Sequence, residues 1–464
     1  MIRTLEDING LSVTIMGLGL NGGGLASTRF FAERGAAVTV TDLKTEAELA
    51  PPLTALERYS NIRFVLGQHC ISDFSNADLV IKNPDVTYEG NQYLAAARCI
   101  ETDISLFLHF TQAPVIAVTG SKGKSSTVSA IHHGLRGCGL TAFLGGNITV
   151  SPLTFLDDTT SRTPVVLELS SWQLRDLARF AQFRPRIAVL TAILPDHQNR
   201  YPSMEAYVAD KKNIYQRQEP EDYTICNYDD EWGKQFAAET KAAVYWYSAK
   251  PLPEHTVGAW LTEEGAVHLR LPDGTERQLL PAGFKTAGNI LTPNLMAAAL
   301  ALALYPVELA CISQSLSSYP GIPHRLEYVH QKDATRFYND SAATIPEAAA
   351  AAINAFTESV TLITGGTDKK LDFTPLIPHL SRVKNLYLLA GTGTDKLVPL
   401  LDAARIPYYG PFNSLAALLD ELYSRLDTGE KQVVVLSPGA ASFGLFKNEF
   451  DRGMQFKAGV QARW

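Results

Sequence analysis

The chain has 464 residues, 46% of them hydrophobic and 19% charged, with a formal net charge of −7. Such a length exceeds a single core and points to roughly two to four domains. The acidic balance, with a pI near 5.8, excludes a broad basic surface and with it nucleic-acid binding, and leaves anion contacts to local loops. The most apolar long stretch, Leu295 to Tyr305, stops at Pro306, short of the roughly 20 residues a membrane span needs. It reads as a buried Ala/Leu helix, with no membrane insertion expected. Met1 to Asp7 carries no apolar core of a signal peptide. Cys70, Cys99, Cys138, Cys226 and Cys311 are odd in number and lack metal-ligand spacing. Free thiols and a cytoplasmic location are the expectation.

Three segments each restart an α/β pattern. In the first, Ser12 to Met16 and Ala37 to Thr41 read as strands flanking a helix at Leu25 to Glu33, with a later strand at Leu79 to Lys82. Gly17-Leu18-Gly19-Leu20-Asn21-Gly22 follows the first strand, and Asp42 lies twenty residues after Gly22. This Rossmann-type layout brings backbone to a diphosphate at a helix N-terminus, which serves a UDP-sugar as well as a dinucleotide.

The second segment opens with the strand Val115 to Thr119, the loop Gly120-Ser121-Lys122-Gly123-Lys124-Ser125-Ser126 and a helix at Ser126 to Leu135. The glycines let the backbone wrap phosphate oxygens, Lys124 reaches the terminal phosphates, and Ser125 or Ser126 is placed to ligate Mg²⁺. The spacing is Gly-x-x-Gly-Lys-Ser, shorter than the usual phosphate loop. Strands are expected at Val165 to Leu169, Ile187 to Thr191 and Tyr223 to Asn227, and a helix at Met204 to Arg217. Pro251 to Pro281 reads as a small antiparallel excursion. Beyond a hinge at Tyr319-Pro320-Gly321-Ile322-Pro323, the third segment has strands at Val360 to Thr364, Asn385 to Leu389 and Gln432 to Leu436.

A hydride-transfer enzyme leaves the phosphate loop unexplained, so the pair of motifs points to one nucleotide sugar and one nucleoside triphosphate, with a reaction between them. Glu168, in Glu168-Leu169-Ser170-Ser171-Trp172-Gln173-Leu174, sits at the carboxyl end of a strand, where open α/β sheets bind ligands and a carboxylate can hold Mg²⁺. His197, in Pro195-Asp196-His197-Gln198-Asn199-Arg200-Tyr201, stays open as a second metal ligand, a transition-state contact or ordinary surface. Lys211 and Lys212 share one predicted helix, and composition does not separate them from a solvated face.

These motifs carry a resemblance. Thr119 to Ser125 resembles the phosphate loop of the Mur ligases, and Glu168 to Leu174 is similar to the Glu-Leu-Ser-Ser-Phe-Gln-Leu of the branch that adds glutamate to UDP-N-acetylmuramoyl-L-alanine. The resemblance spans nearly the whole chain. It implies an α/β protein of three domains: a Rossmann-like UDP-sugar-binding domain over 1–102, a central ATP-binding domain over 103–321, and a Rossmann-like amino-acid-binding domain over 322–464. It implies an ATP-dependent amide ligase of cytoplasmic peptidoglycan-precursor synthesis, acting as a monomer through an acyl phosphate. The expected amino acid is D-glutamate. Alternatives left open are L-glutamate or another amino acid on a related ligase, a nucleotide-binding redox enzyme, and a catalytically silent UDP-sugar-binding regulator.

Residue by residue, the resemblance makes Lys124, His197 and Lys211 catalytic. Gly120 to Ser126, Asn294, Arg325 of Pro323-His324-Arg325 and Asp340 of Asn339-Asp340-Ser341 would bind ATP. Gly19, Leu20, Asn21, Gly22, Asp42 and Asn147 would bind the UDP-sugar, and Thr344, Lys369 and Ser442 the glutamate carboxylates. Ser125, Glu168, His197 and Lys211 would hold Mg²⁺ at two sites, Lys211 as a carbamate that turns a cation into an anion. The chain departs from the family pattern at Ala342, where a lysine is usual, at Ile290-Leu291 in place of His-Asn, at Asn83-Pro84-Asp85 in place of Ser-Pro-Gly, and at Asn199 in place of an aspartate.

Overall fold

The computed structural model describes residues 3–20, 22–148, 150–180, 182–194, 201–282, 292–369 and 371–464. The chain divides into two compact units, one of Met1–Gly283 with Pro293–Ser317, the other of Phe284–Thr292 with Ser318–Trp464.

The first unit contains two sheets. β1 (Ser12–Met16), β2 (Ala37–Asp42), β3 (Ile62–Leu66), β4 (Leu79–Lys82) and β5 (Ile100–Glu101) form a parallel sheet of order β3-β2-β1-β4-β5. The order reverses at β1, and the crevice beyond its carboxyl end is the place where such sheets take ligands. The Gly17 loop occupies that position, ahead of the helix Gly23–Glu33. Gly24 lets this helix close on the loop, since a Cβ there would stand 2.3 Å from the Gly17 carbonyl oxygen.

The second sheet has nine strands: β6 (Val115–Thr119), β7 (Phe143–Gly146), β8 (Val165–Glu168), β9 (Ile187–Leu190), β10 (Tyr223–Asn227), β11 (Ala243–Ser248), β12 (Gly258–Leu261), β13 (Val267–Arg270) and β14 (Glu276–Leu280), in the order β14-β13-β12-β11-β10-β9-β6-β8-β7. β6 lies between β8 and β9, with Val118 beside Glu168 and Thr119 beside Leu190, so three strand ends converge at Gly120. The expected antiparallel excursion is β12 to β14. One continuous core joins the sheets, with Phe31 from the first and Phe107, Phe155 and Leu167 from the second segment packed together.

Several bounds shift: the first helix starts at Gly23 where Leu25 was expected, and the strand expected from Asn385 starts at Val383. The phosphate-loop helix starts at Lys124, two residues earlier than expected, and runs to Gly137. The helix expected to reach Arg217 covers only Met204–Lys212. Beyond Lys212 the chain runs on through turns, with Ile214 and Tyr215 N–H donating three residues back, to the fully buried Gln218, which donates to the carbonyls of Pro185 at 3.0 Å and Tyr223 at 2.9 Å.

The second unit is built on β15 (Glu327–Lys332), β16 (Thr335–Asn339), β17 (Ser359–Gly365), β18 (Val383–Leu389), β19 (Tyr409–Phe412) and β20 (Gln432–Leu436), ordered β15-β16-β20-β17-β18-β19. Only the β15–β16 pair is antiparallel. Successive residues alternate between two cores: Leu362, Val433 and Val435 face one, Ile363, Val434 and Leu436 the other.

Candidate active site

The Gly17 loop lines a cavity of about 500 Å³ together with Asp42, Lys44, Lys82 to Val86, Asn147 and Gln173. Asp42, at the end of β2, is buried, and its carboxylate accepts from the N–H of Gly19 at 3.0 Å and of Lys44 at 2.9 Å. It thereby ties the loop to the neighbouring strand end. Gly19, Leu20, Asp42 and Asn147 are thus brought to one cavity. Gly22, in the left-handed conformation at φ 87°, caps the helix that follows. Asn21 lies outside the described residues.

In the phosphate loop, Gly120 at φ 150° passes so close to β9 that a Cβ would meet Thr191 Oγ1 at 1.9 Å. Gly123 caps the helix at φ 93°. Two ammonium groups converge on the Gly120 carbonyl, Lys124 at 2.9 Å and Lys211 at 3.0 Å, and Lys124 also reaches the Ser121 carbonyl at 3.1 Å. Lys211 is 1% exposed and stands 4.3 Å from the centre of the Tyr207 ring, whose hydroxyl lies 3.0 Å from Ser121 Oγ. Lys212 points elsewhere, into an ion pair with Glu239 at 2.7 Å. The two neighbours that composition left equal are therefore distinct: one belongs to the loop, the other to the surface. Asn294 also reaches the loop, its Oδ1 lying 2.2 Å from where a Gly123 Cβ would be.

Glu168 is 2% exposed rather than an open strand-end acid. Its Oε1 accepts from Asn147 Nδ2 at 2.9 Å, whereas Oε2 is buried with no hydrogen-bond partner among the described residues. A buried carboxylate oxygen left in this way is costly unless a cation satisfies it, so the residues fit a Mg²⁺ ion at this strand end. Among the described residues no cluster of three or more His, Cys, Asp or Glu gathers around a single point. His197 and Asn199 lie outside the described residues, as do Ile290 and Leu291.

In the second unit, three loops at strand ends are laced together. Gly439 N–H donates to the Ala343 carbonyl at 2.9 Å, and Thr367 and Ala441 exchange backbone bonds of 2.9 and 3.0 Å. Thr344, Lys369 and Ser442 thereby share one neighbourhood, with Lys369 Nζ 5.4 Å from the centre of the Phe443 ring. Asp340 accepts from Leu326 N–H at 3.1 Å and Ser437 Oγ at 2.6 Å, which pins the turn carrying Arg325 to the end of β16. Burial pushes the Asp340 carboxyl up to about 7, against the opposing pull of its hydrogen bonds.

Two groups escaped the sequence reading. Arg452 is fully buried behind the Ser341 turn, donating to Ser341 Oγ at 2.9 Å, the Ser341 carbonyl at 2.8 Å and the Ala440 carbonyl at 3.1 Å. It places a cation beneath the turn where Ala342 replaces the usual lysine, and desolvation brings its guanidinium down to about 10. Lys82 is buried at the wall of the 500 Å³ cavity, in an ion pair with Asp176 at 2.7 Å. A lysine closing an otherwise apolar strand, Leu79-Val80-Ile81-Lys82, was its signal.

Comparison with known proteins identifies the family. Residues 118–302 match the Mur ligase middle domain. The UDP-N-acetylmuramoylalanine–D-glutamate ligase of Treponema pallidum is 46% identical, with 98% of each chain covered, and that of Borreliella afzelii is 39% identical over the same shares. Among solved structures, the UDP-N-acetylmuramate-alanine ligase MurC of Thermotoga maritima superposes with a TM-score of 0.58 at 18% identity, covering 97% of this chain and 99% of its own. MurF of Thermotoga maritima in complex with ADP gives a TM-score of 0.53 at 15% identity, covering 100% and 98%. The structural likenesses establish the three-domain α/β fold, and the sequence relatives go further: the chain belongs to the UDP-N-acetylmuramoylalanine–D-glutamate ligase family of the Mur ligases.

Proposed function

We propose that the chain joins D-glutamate to UDP-N-acetylmuramoyl-L-alanine with consumption of ATP, as a monomeric, cytoplasmic step of peptidoglycan-precursor synthesis. The observation that carries this reading is the Asn147–Glu168 hydrogen bond. Asn147 lines the cavity of the Gly17 loop, and Glu168 stands one strand from the phosphate loop. The bond thus spans from the sugar-nucleotide pocket to the carboxylate that would hold Mg²⁺. The three sheets fall within 1–102, 103–321 and 322–464, which supports assigning UDP-sugar, ATP and amino acid to these segments in turn.

A carboxylate is a poor electrophile. The γ-phosphoryl group of ATP is therefore transferred to the alanyl carboxylate, and the acyl phosphate so formed has a leaving group that permits attack by the glutamate amine. Lys124 neutralises charge on the transferred phosphoryl group, while the loop Gly120 to Ser126 holds the phosphates and Asn294 lies on the nucleotide side. Glu168, Ser125, His197 and a carbamylated Lys211 would hold Mg²⁺ at two sites, where it would further neutralise phosphate charge. The family resemblance assigns Arg325 and Asp340 to ATP, and Thr344, Lys369 and Ser442 to the glutamate carboxylates. No covalent enzyme nucleophile is required.

Phosphate release measured with ATP, Mg²⁺ and UDP-N-acetylmuramoyl-L-alanine tests the proposal. Release that requires D-glutamate and is not supported by L-glutamate or other amino acids is expected. Release with another amino acid alone, or none with D-glutamate, contradicts it.

A further inference from the structure

Lys82 ends β4, a strand whose four residues are all buried. Its side chain is 1% exposed and that of its partner Asp176 5%. Besides the ion pair, Nζ donates to the carbonyls of Val86 at 2.8 Å and Asn83 at 3.3 Å, and it stands 5.1 Å from the centre of the Tyr88 ring. The ammonium group is therefore ion-paired with one carboxylate and donates to two carbonyls of a single short loop. That loop is a partition. Lys82, Pro84, Asp85 and Val86 line the 500 Å³ cavity on one side and, on the other, a groove of about 920 Å³ bordered by Trp172, Arg175 and Tyr201.

Asp176 belongs to the helix Ser171–Leu177, one turn beyond Gln173. Gln173 lines the same cavity and closes the helix start: its Oε1 accepts from Ser170 N–H at 2.9 Å, and its own N–H donates to Ser170 Oγ at 3.2 Å. The strand leading into this helix ends at Glu168. Lys82 thus connects the loop walling the sugar-nucleotide cavity with the helix that follows the carboxylate of the phosphate-loop sheet.

Stability alone does not account for such a pair. Desolvating two ions costs several kcal/mol each, and apolar residues of similar volume often replace a buried pair with no loss of stability. An apolar side chain cannot, however, hold two carbonyl groups in place. We propose that Lys82, through Asp176, is a positioning residue for the UDP-sugar: it fixes the Asn83–Val86 wall against the helix Ser171–Leu177, so that the cavity keeps the shape that seats the nucleotide diphosphate and its sugar. The proposal rests on reading that cavity as the UDP-sugar site.

The test is calorimetry with UDP-N-acetylmuramoyl-L-alanine, with steady-state kinetics alongside, on the full chain and on Lys82→Met/Asp176→Leu and Asp176→Asn. The double variant should keep its thermal midpoint within a few degrees of the parent chain, while its UDP-sugar Kd and KM rise at least tenfold and its ATP KM stays within twofold. Asp176→Asn, which conserves shape, should weaken UDP-sugar binding at least threefold, and it decides the matter if the double variant does not fold. Parent-like UDP-sugar affinity in either folded variant overturns the positioning role while leaving the cavity's identity intact. A parent chain that binds ATP but no UDP-sugar overturns the reading of the cavity, and the proposal with it.

Discussion

The first unit uses one backbone device twice, with different surroundings. Gly22 and Gly123 both start a helix from the left-handed region, at φ 87° and 93°, and neither helix start has a side-chain cap. Each leaves N–H groups ready for an anion. At the Gly17 loop, the carboxylate of Asp42 holds the Gly19 N–H, and Asp85, Asp103, Lys44 and Lys82 also line the cavity. At the Gly120 loop, the ammonium groups of Lys124 and Lys211 meet on one carbonyl oxygen. Backbone geometry is shared by the two loops, and the proposed function takes the more highly charged triphosphate at the second, where two cations meet, and a diphosphate ester at the first.

The sharpest way to break this comparison is at Lys211. Lys211→Ala should lower turnover by about a thousandfold, the upper range for removing one electrostatic contact to a developing charge. A short carboxylate added in solution should restore part of the activity, as expected for a lost carbamate. Lys212→Ala should stay within about twofold, because an exposed ion pair such as that with Glu239 contributes little. The reverse pattern in kinetic assays would place the functional lysine one residue later.

Lys369→Ala serves as a control outside both loops. Losing a charge-assisted hydrogen bond costs on the order of 1.5–3 kcal/mol, a ten- to hundredfold weakening of glutamate use with the UDP-sugar KM unchanged. A defect confined to the UDP-sugar would remove Lys369 from the glutamate contacts. A smaller effect is expected of Asp42→Asn, which keeps the shape of the loop anchor but removes its charge. UDP-sugar affinity should fall about tenfold or less while ATP KM holds. Equal effects on both ligands would show that the two loops do not act separately.

The smallest effect concerns stability. Burial raises the Asp340 carboxyl to about 7 from its ordinary 3.8, so between these values the folded state holds a proton that the unfolded state has lost. Stability from this group is therefore present below about pH 4, declines as pH rises toward 7 and is level above that. Thermal melts of Asp340→Asn should lack this decline and differ in slope from the parent by a few degrees across the window. Identical slopes would show that the carboxyl ionises freely.

Much of the fold was legible because β-branched runs such as Val115–Thr119 and Gln432–Leu436 sit inside parallel sheets and read as continuous apolar strands. β3 was missed, since Arg63 and Phe64 of this edge strand are exposed and its apolar pattern is weak. The early end of the helix Met204–Lys212 was not legible, since the turns that follow it carry no glycine or proline to mark the stop. Of the site, the glycine loops were legible from spacing, because a tight turn at a helix start demands glycine in known places. The difference between Lys211 and Lys212 was not, because it depends on which of two adjacent helix positions faces Gly120, across the fold. The Lys82–Asp176 pair joins a strand end to a helix far along the chain and likewise lacks a local pattern.

The division of labour between the two loops is tested most directly by calorimetry of Lys124→Ala with UDP-N-acetylmuramoyl-L-alanine and, separately, with a non-hydrolysable ATP analogue. The account predicts that affinity for the ATP analogue falls at least about tenfold and turnover is abolished, while UDP-sugar affinity stays within about threefold of the parent chain. A loss of UDP-sugar affinity as severe as the loss for the ATP analogue would contradict it.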